Sequence, residues 1–158
     1  MLILPTGQVL FTDFSSDIEI YTPTGAPNDA WRPTITACPT LVMPGQTYRI
    51  DGTQFNGLSQ ATAYGDDSTN ATNYPLVRLT SLSTGHVFYA RTFGHSTMAV
   101  ATGTTATSTN FTLPDRIPSD SYLLEVVANG IASFPVTARV LKARPGPGIP
   151  GTTVERTH

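Results

Sequence analysis

Helical periodicity is nearly absent from this chain, and that absence decides most of what it folds into. In its place, short runs rich in Val, Ile, Thr, Tyr and Phe recur, each closed by Gly, Pro, Asn or Asp. The pattern predicts core strands over 34–38, 47–52, 60–64, 76–80, 86–91, 108–113, 121–128 and 134–141. Turn signals stand between them at Pro44-Gly45, Gly65-Asp66-Asp67, Ser83-Thr84-Gly85, Pro118-Ser119-Asp120 and Asn129-Gly130. The expected class is all-β.

The ends read differently from the middle. Residues 1–24 hold two candidate strands, 7–12 and 17–21, joined by Asp13-Phe14-Ser15-Ser16. An isolated β-hairpin is marginal in water, so these strands need a sheet to join, in the manner of the last strands of a propeller blade. Residues 25–33, with Pro27 and Pro33, form the linker, and Trp31 is expected to pack at the boundary. Residues 34–142 are the sandwich proper. Seven or eight strands over about 110 residues is the scale of an immunoglobulin-like β-sandwich. In 143–158 the run Arg144-Pro145-Gly146-Pro147-Gly148-Ile149-Pro150-Gly151 cannot continue a sheet, and a flexible tail is expected.

Composition narrows the function classes. Charged residues are 13% of the chain, about half the usual share, and the net charge is −2. The nine Lys and Arg are scattered, which argues against a nucleic-acid surface. No run approaches the apolar length of a membrane helix. Met1-Leu2-Ile3-Leu4-Pro5 lacks the basic start and long apolar region of a secretory signal. Cys38 is the only cysteine, so no internal disulfide forms; a buried thiol at a strand end is expected.

The stretch 85–103 reads as a strand, a short turn with His95 at its tip, and an outgoing strand, which would offer the imidazole to another domain. Neutral imidazole suits copper. His86, at a strand start, is expected to be structural, and His158 is terminal. Asp66 and Asp67, near Ser68, Asn70 and Asn73, give an oxygen-rich loop that fits no EF-hand and reads as a solvated turn. Of Tyr48, Tyr64, Tyr74, Tyr89 and Tyr122, most fall at strand positions, where aromatic rings ordinarily fill a core rather than stack on sugars. Asn70-Ala71-Thr72 and Asn110-Phe111-Thr112 match the glycosylation acceptor pattern. No nucleophile elbow, phosphate loop, zinc spacing or paired-carboxylate motif is present.

Several segments carry a family resemblance: Leu4-Pro5-Thr6-Gly7-Gln8-Val9-Leu10, Arg32-Pro33-Thr34-Ile35, Thr53-Gln54-Phe55-Asn56-Gly57, Tyr64-Gly65-Asp66-Asp67, the residues around His95, and 122–133. The chain resembles the C-terminal early-set, immunoglobulin-like domain of galactose oxidase and its kelch-propeller relatives, the bacterial kelch-type proteins above all. The resemblance implies an extracellular or periplasmic accessory domain, not an enzyme or cofactor binder by itself, that caps the parent's propeller. The parent would be a copper-radical oxidase of primary alcohols or aldehydes, and His95 the one copper ligand donated from this domain. Val9, Phe11, Ile18 and Ile20 would then bury against the propeller, and the free chain is expected to dimerise through its N-terminal strands. The alternative is an extracellular glycan- or protein-binding module with no metal role.

Overall fold

The computed structural model describes residues 1–13, 15–61 and 71–142. Among the described residues twelve strands follow the turn residues: β1 Leu2–Ile3, β2 Val9–Phe11, β3 Glu19–Tyr21, β4 Thr34–Ala37, β5 Leu41–Val42, β6 Thr47–Thr53, β7 Leu76–Ser81, β8 Val87–Phe93, β9 Ala106–Thr112, β10 Ser121–Ala128, β11 Ile131–Ala132 and β12 Val136–Val140. A 3-10 turn over Asp29–Trp31 interrupts the linker. The protein is all-β, as the turn spacing predicts.

Two sheets form. The small one runs β1-β2-β3, and the large one runs β4-β6-β9-β8-β7-β10-β12-β5 with β11 on β10. Among the described strands only β5 runs parallel to its neighbour, pairing Leu41 with Arg139 and Val42 with Val140. The bend lies at β8, which pairs with β7 from Thr80↔Val87 to Leu76↔Arg91 and then passes Thr92 and Phe93 to Phe111 and Asn110 of β9. The large sheet thereby closes over one core in a sandwich-like arrangement. Ile50 and Phe111 meet Val77, Leu79, Tyr122, Leu124, Val126, Ala138 and Val140 there. Alternation does the sorting: on β7, Val77, Leu79 and Ser81 are buried while Leu76, Arg78 and Thr80 are half-buried.

Turn chemistry fixes the rest. Asn129 (φ 51°) and Gly130 (φ 72°) are both left-handed, the two-residue turn that Asn-Gly favours between paired strands β10 and β11. Tyr122, fully buried at the start of β10, donates its hydroxyl to the Pro118 carbonyl at 2.9 Å. Asp120 holds the β7–β8 turn to the same corner, accepting from Ser81 Oγ (2.5 Å), Ser83 Oγ (2.6 Å) and the Ser121 N–H (2.8 Å).

Some expectations change. Gln60 and Ala61 lie outside any strand, and Ala61 has φ 60°, incompatible with a ladder; 62–64 fall outside the described residues. So do Asp66, Asp67, Asn70, the 143–158 tail and His158. The N-terminal unit is a three-stranded sheet rather than a hairpin, because Leu2 and Ile3 pair with Leu10 and Val9. Across this sheet Ile20 stands opposite Leu10, so it shares a face with Leu2 and Leu10, while Val9 and Phe11 share the other with Ile3 and Tyr21. Ile18 and Ile20 are exposed.

The small sheet meets the large one where Gly7 approaches Gly130. A Cβ on Gly130 would come 2.6 Å from Gly7 Cα and 2.9 Å from the Leu4 carbonyl oxygen. The linker is tied down as well. Arg32 pairs with Asp29, donates to the Ala132 carbonyl at 2.8 Å and lies 5.3 Å from the centre of the Phe134 ring.

Candidate functional site: His95 on a strand bulge

His95 is placed by the glycine before it. Phe93 pairs with Asn110, while the Ser96 N–H donates to the Ser108 carbonyl (2.9 Å) and the Ser108 N–H donates to Ser96 Oγ (2.9 Å). Gly94 and His95 together therefore face Thr109 alone. Gly94 has φ 62°, so the geometry is a β-bulge opened by a left-handed glycine, a device that re-aims the following side chain.

The bulge brings His95 Nδ1 to 2.9 Å from Thr109 Oγ1, a hydroxyl on a residue only 1% exposed. Thr109 Oγ1 also lies 3.2 Å from the Phe93 carbonyl and 3.3 Å from that of Asn110, both acceptors. Depending on the tautomer, the hydroxyl donates to Nδ1, or Nδ1–H donates to the hydroxyl while the hydroxyl proton goes to a carbonyl; in the second arrangement Nε2 carries the free lone pair. Tyr74 presents its ring edge-on to the imidazole, centroids 6.1 Å apart at 67°. Burial holds His95 below the usual histidine range, which keeps it neutral at neutral pH, the form that binds a metal.

The position of His95 departs from the sequence reading. The β8–β9 connection spans 94–105 with no strand over 97–103, so His95 stands at the root of a long loop, half-buried against the sheet. Sequence reasoning also passed over Thr109 and Tyr74, which orient the ring. Gly94 inside a strand-like run was the available signal, since such a glycine marks a bulge.

Other candidates resolve into structure. His86 is exposed in the β7–β8 turn, where its N–H donates to Thr84 Oγ1 at 3.3 Å. Cys38 is half-buried against the core, and burial pushes its thiol up to about 11, far from nucleophilic at neutral pH. Tyr122 is core and Tyr48 packs against it, whereas Tyr74 and Tyr89 are exposed. Tyr64 falls outside the described residues. Asn110 sits in β9 beside the fully buried Phe111, which makes its acceptor triplet a poor surface site.

Among the described residues, no group of three or more His, Cys, Asp or Glu side chains is placed to share a metal ion. His95 therefore fits one corner of a copper site and no more, because a single imidazole does not hold the ion. No described helix is long and apolar enough to cross a membrane. Comparison with protein-family models and with curated proteins finds no match to this chain.

Proposed function

We propose that this chain is the C-terminal accessory domain of an extracellular or periplasmic kelch-propeller protein of the galactose-oxidase type, without catalysis of its own. The observation that carries the reading is the His95 bulge: a neutral imidazole tied through Nδ1 to a buried threonine, which in the tautomer with its proton on Nδ1 can offer Nε2 to a metal. In a copper oxidase the metal supplies the redox chemistry; this chain would supply one nitrogen and its orientation. The remaining ligands would come from the propeller.

Two features support the immunoglobulin-like, early-set reading of the fold. Strands β4-β6-β9 and β7-β10-β12 form the two layers, with β5 running parallel to β12 at the far edge. Tyr122 bonds back to Pro118 at the corner between β9 and β10, as the tyrosine corner of such sandwiches does. The small sheet supports the capping role, since Ile20 and Tyr21 on edge strand β3 are exposed and ready for further strands or a second copy.

Copper titration of the parent protein against its His95→Ala variant tests the reading. The expected result is a drop in affinity of at least about tenfold. Equal affinity in both proteins would end the ligand assignment.

A further inference from the structure

The junction between the two sheets holds a cleft of about 330 Å³, independent of His95, with Trp31 in its wall. That volume is at the lower end of small-molecule sites, which favour boundaries between structural units. Trp31 is the chain's single tryptophan and is 48% exposed. A second, smaller cleft touches it from the side of Leu58 and Ala128, so the indole stands as a partition between two openings.

The backbone that carries the ring is held before any ligand arrives. Asn28 caps the 3-10 turn that carries it, accepting from the Ala30 N–H at 3.0 Å, and Asp29 pairs with Arg32. Gln54, itself left-handed at φ 56°, donates to the Ala30 and Arg32 carbonyls at 3.2 and 3.3 Å. An aromatic side chain on a fixed backbone loses little entropy on binding.

The polar lining decides the ligand class. Thr6 Oγ1 donates to Gln8 Oε1 at 2.9 Å, and Gln8 Nε2 donates to Thr22 Oγ1 at 3.0 Å. Among the described residues Gln8 keeps a second amide hydrogen and Thr22 its hydroxyl hydrogen without a partner. Thr24 adds a further hydroxyl, whereas the Asn129 carboxamide is already engaged, accepting from Thr72 Oγ1 at 2.9 Å and donating to the Ser59 carbonyl at 2.7 Å; among the described residues no charged side chain lines the cleft. An anion finds no cation there and a cation no carboxylate. A wholly apolar ligand would leave the amide and hydroxyl groups dry and unpaired. A ligand with an apolar face for the indole and neutral hydroxyls at its edge meets both demands, because the C–H face of a pyranose ring is weakly positive against the π face. We propose that the Trp31 cleft binds a neutral oligosaccharide, with the sugar stacked on Trp31 and hydrogen-bonded by the Gln8–Thr22 pair.

Trp31 reports on its own site, since all tryptophan emission comes from it. Its fluorescence is titrated on the full chain with cellohexaose, mannohexaose and chitohexaose, and separately with a synthetic peptide of residues 144–151 as a proline-rich competitor. The expected result is a saturable emission change with at least one of the sugars below about 10 mM, weakened about tenfold or more by Gln8→Ala or Thr22→Val and unchanged by His95→Ala. Amide spectra matching wild type confirm that each variant is folded. No saturation by any of the three sugars, saturation by the peptide alone, or wild-type affinity in folded Gln8→Ala and Thr22→Val would overturn the proposal. The His95→Ala arm separates this outcome from the copper reading.

Discussion

Replacing Tyr122 by Phe isolates one hydroxyl in the most buried corner of the fold. The ring is fully buried and stands edge-on to Phe88 at 6.1 Å, and phenylalanine keeps both features. What disappears is the bond to the Pro118 carbonyl at 2.9 Å. A neutral hydrogen bond contributes about 0.5–1.5 kcal/mol net. Pro118 is exposed, so water can reach its carbonyl once the phenol is gone, and no full desolvation penalty is left behind. The loss should therefore be about 1 kcal/mol, or a drop in Tm of about 2–4 °C for a chain of this size. Tyr122→Ala removes the ring as well and should cost about 3–5 kcal/mol. Urea unfolding followed by circular dichroism measures both, with an unchanged slope expected for Phe. A Tyr122→Phe protein as stable as wild type would refute the corner as a staple and leave Tyr122 as packing alone.

Other perturbations separate the remaining parts of the account. Gly130→Ala places a Cβ 2.6 Å from Gly7 Cα at a position with φ 72°, and both clashes are with backbone that cannot swing away. The small sheet should detach while the large one stays folded, seen as loss of amide-exchange protection confined to residues 1–24. Asp120 has its carboxyl lowered to about 2, chiefly by the Ser81 and Ser83 hydroxyls and then by the Ser121 N–H. Its folded-state value lies below its unfolded one, so its stabilisation is present above about pH 4 and is lost as pH falls through about 2. Asp120→Asn should flatten the fall in Tm over that range; an unchanged acid profile would show that the serine clamp contributes nothing.

Local chemistry explains why much of the fold was readable. Long runs such as Ser121–Ala128 carry alternation and β-branched residues through to an Asn-Gly turn, and each local signal agrees with the sheet it joins. What escaped depends on partners far away in sequence. Leu41–Val42 is too short to announce a strand, and only its parallel contact with Arg139 and Val140 makes it one. Leu2–Ile3 escaped for the same reason, becoming a strand only through its pairing with Leu10 and Val9. His95 was legible as a candidate, but its setting was not. The bulge needs Gly94 and Ser96 on one strand and Ser108 and Thr109 on the other, and no local pattern registers that pairing.

Electron paramagnetic resonance of the copper-loaded parent protein, grown with nitrogen-15 histidine, addresses the His95 assignment most directly. If Nε2 of His95 is a ligand, His95→Ala removes one histidine nitrogen from the coupling pattern, and Thr109→Val shifts the pattern without removing a nitrogen. A His95→Ala spectrum with the same number of coupled nitrogens as wild type would contradict the account.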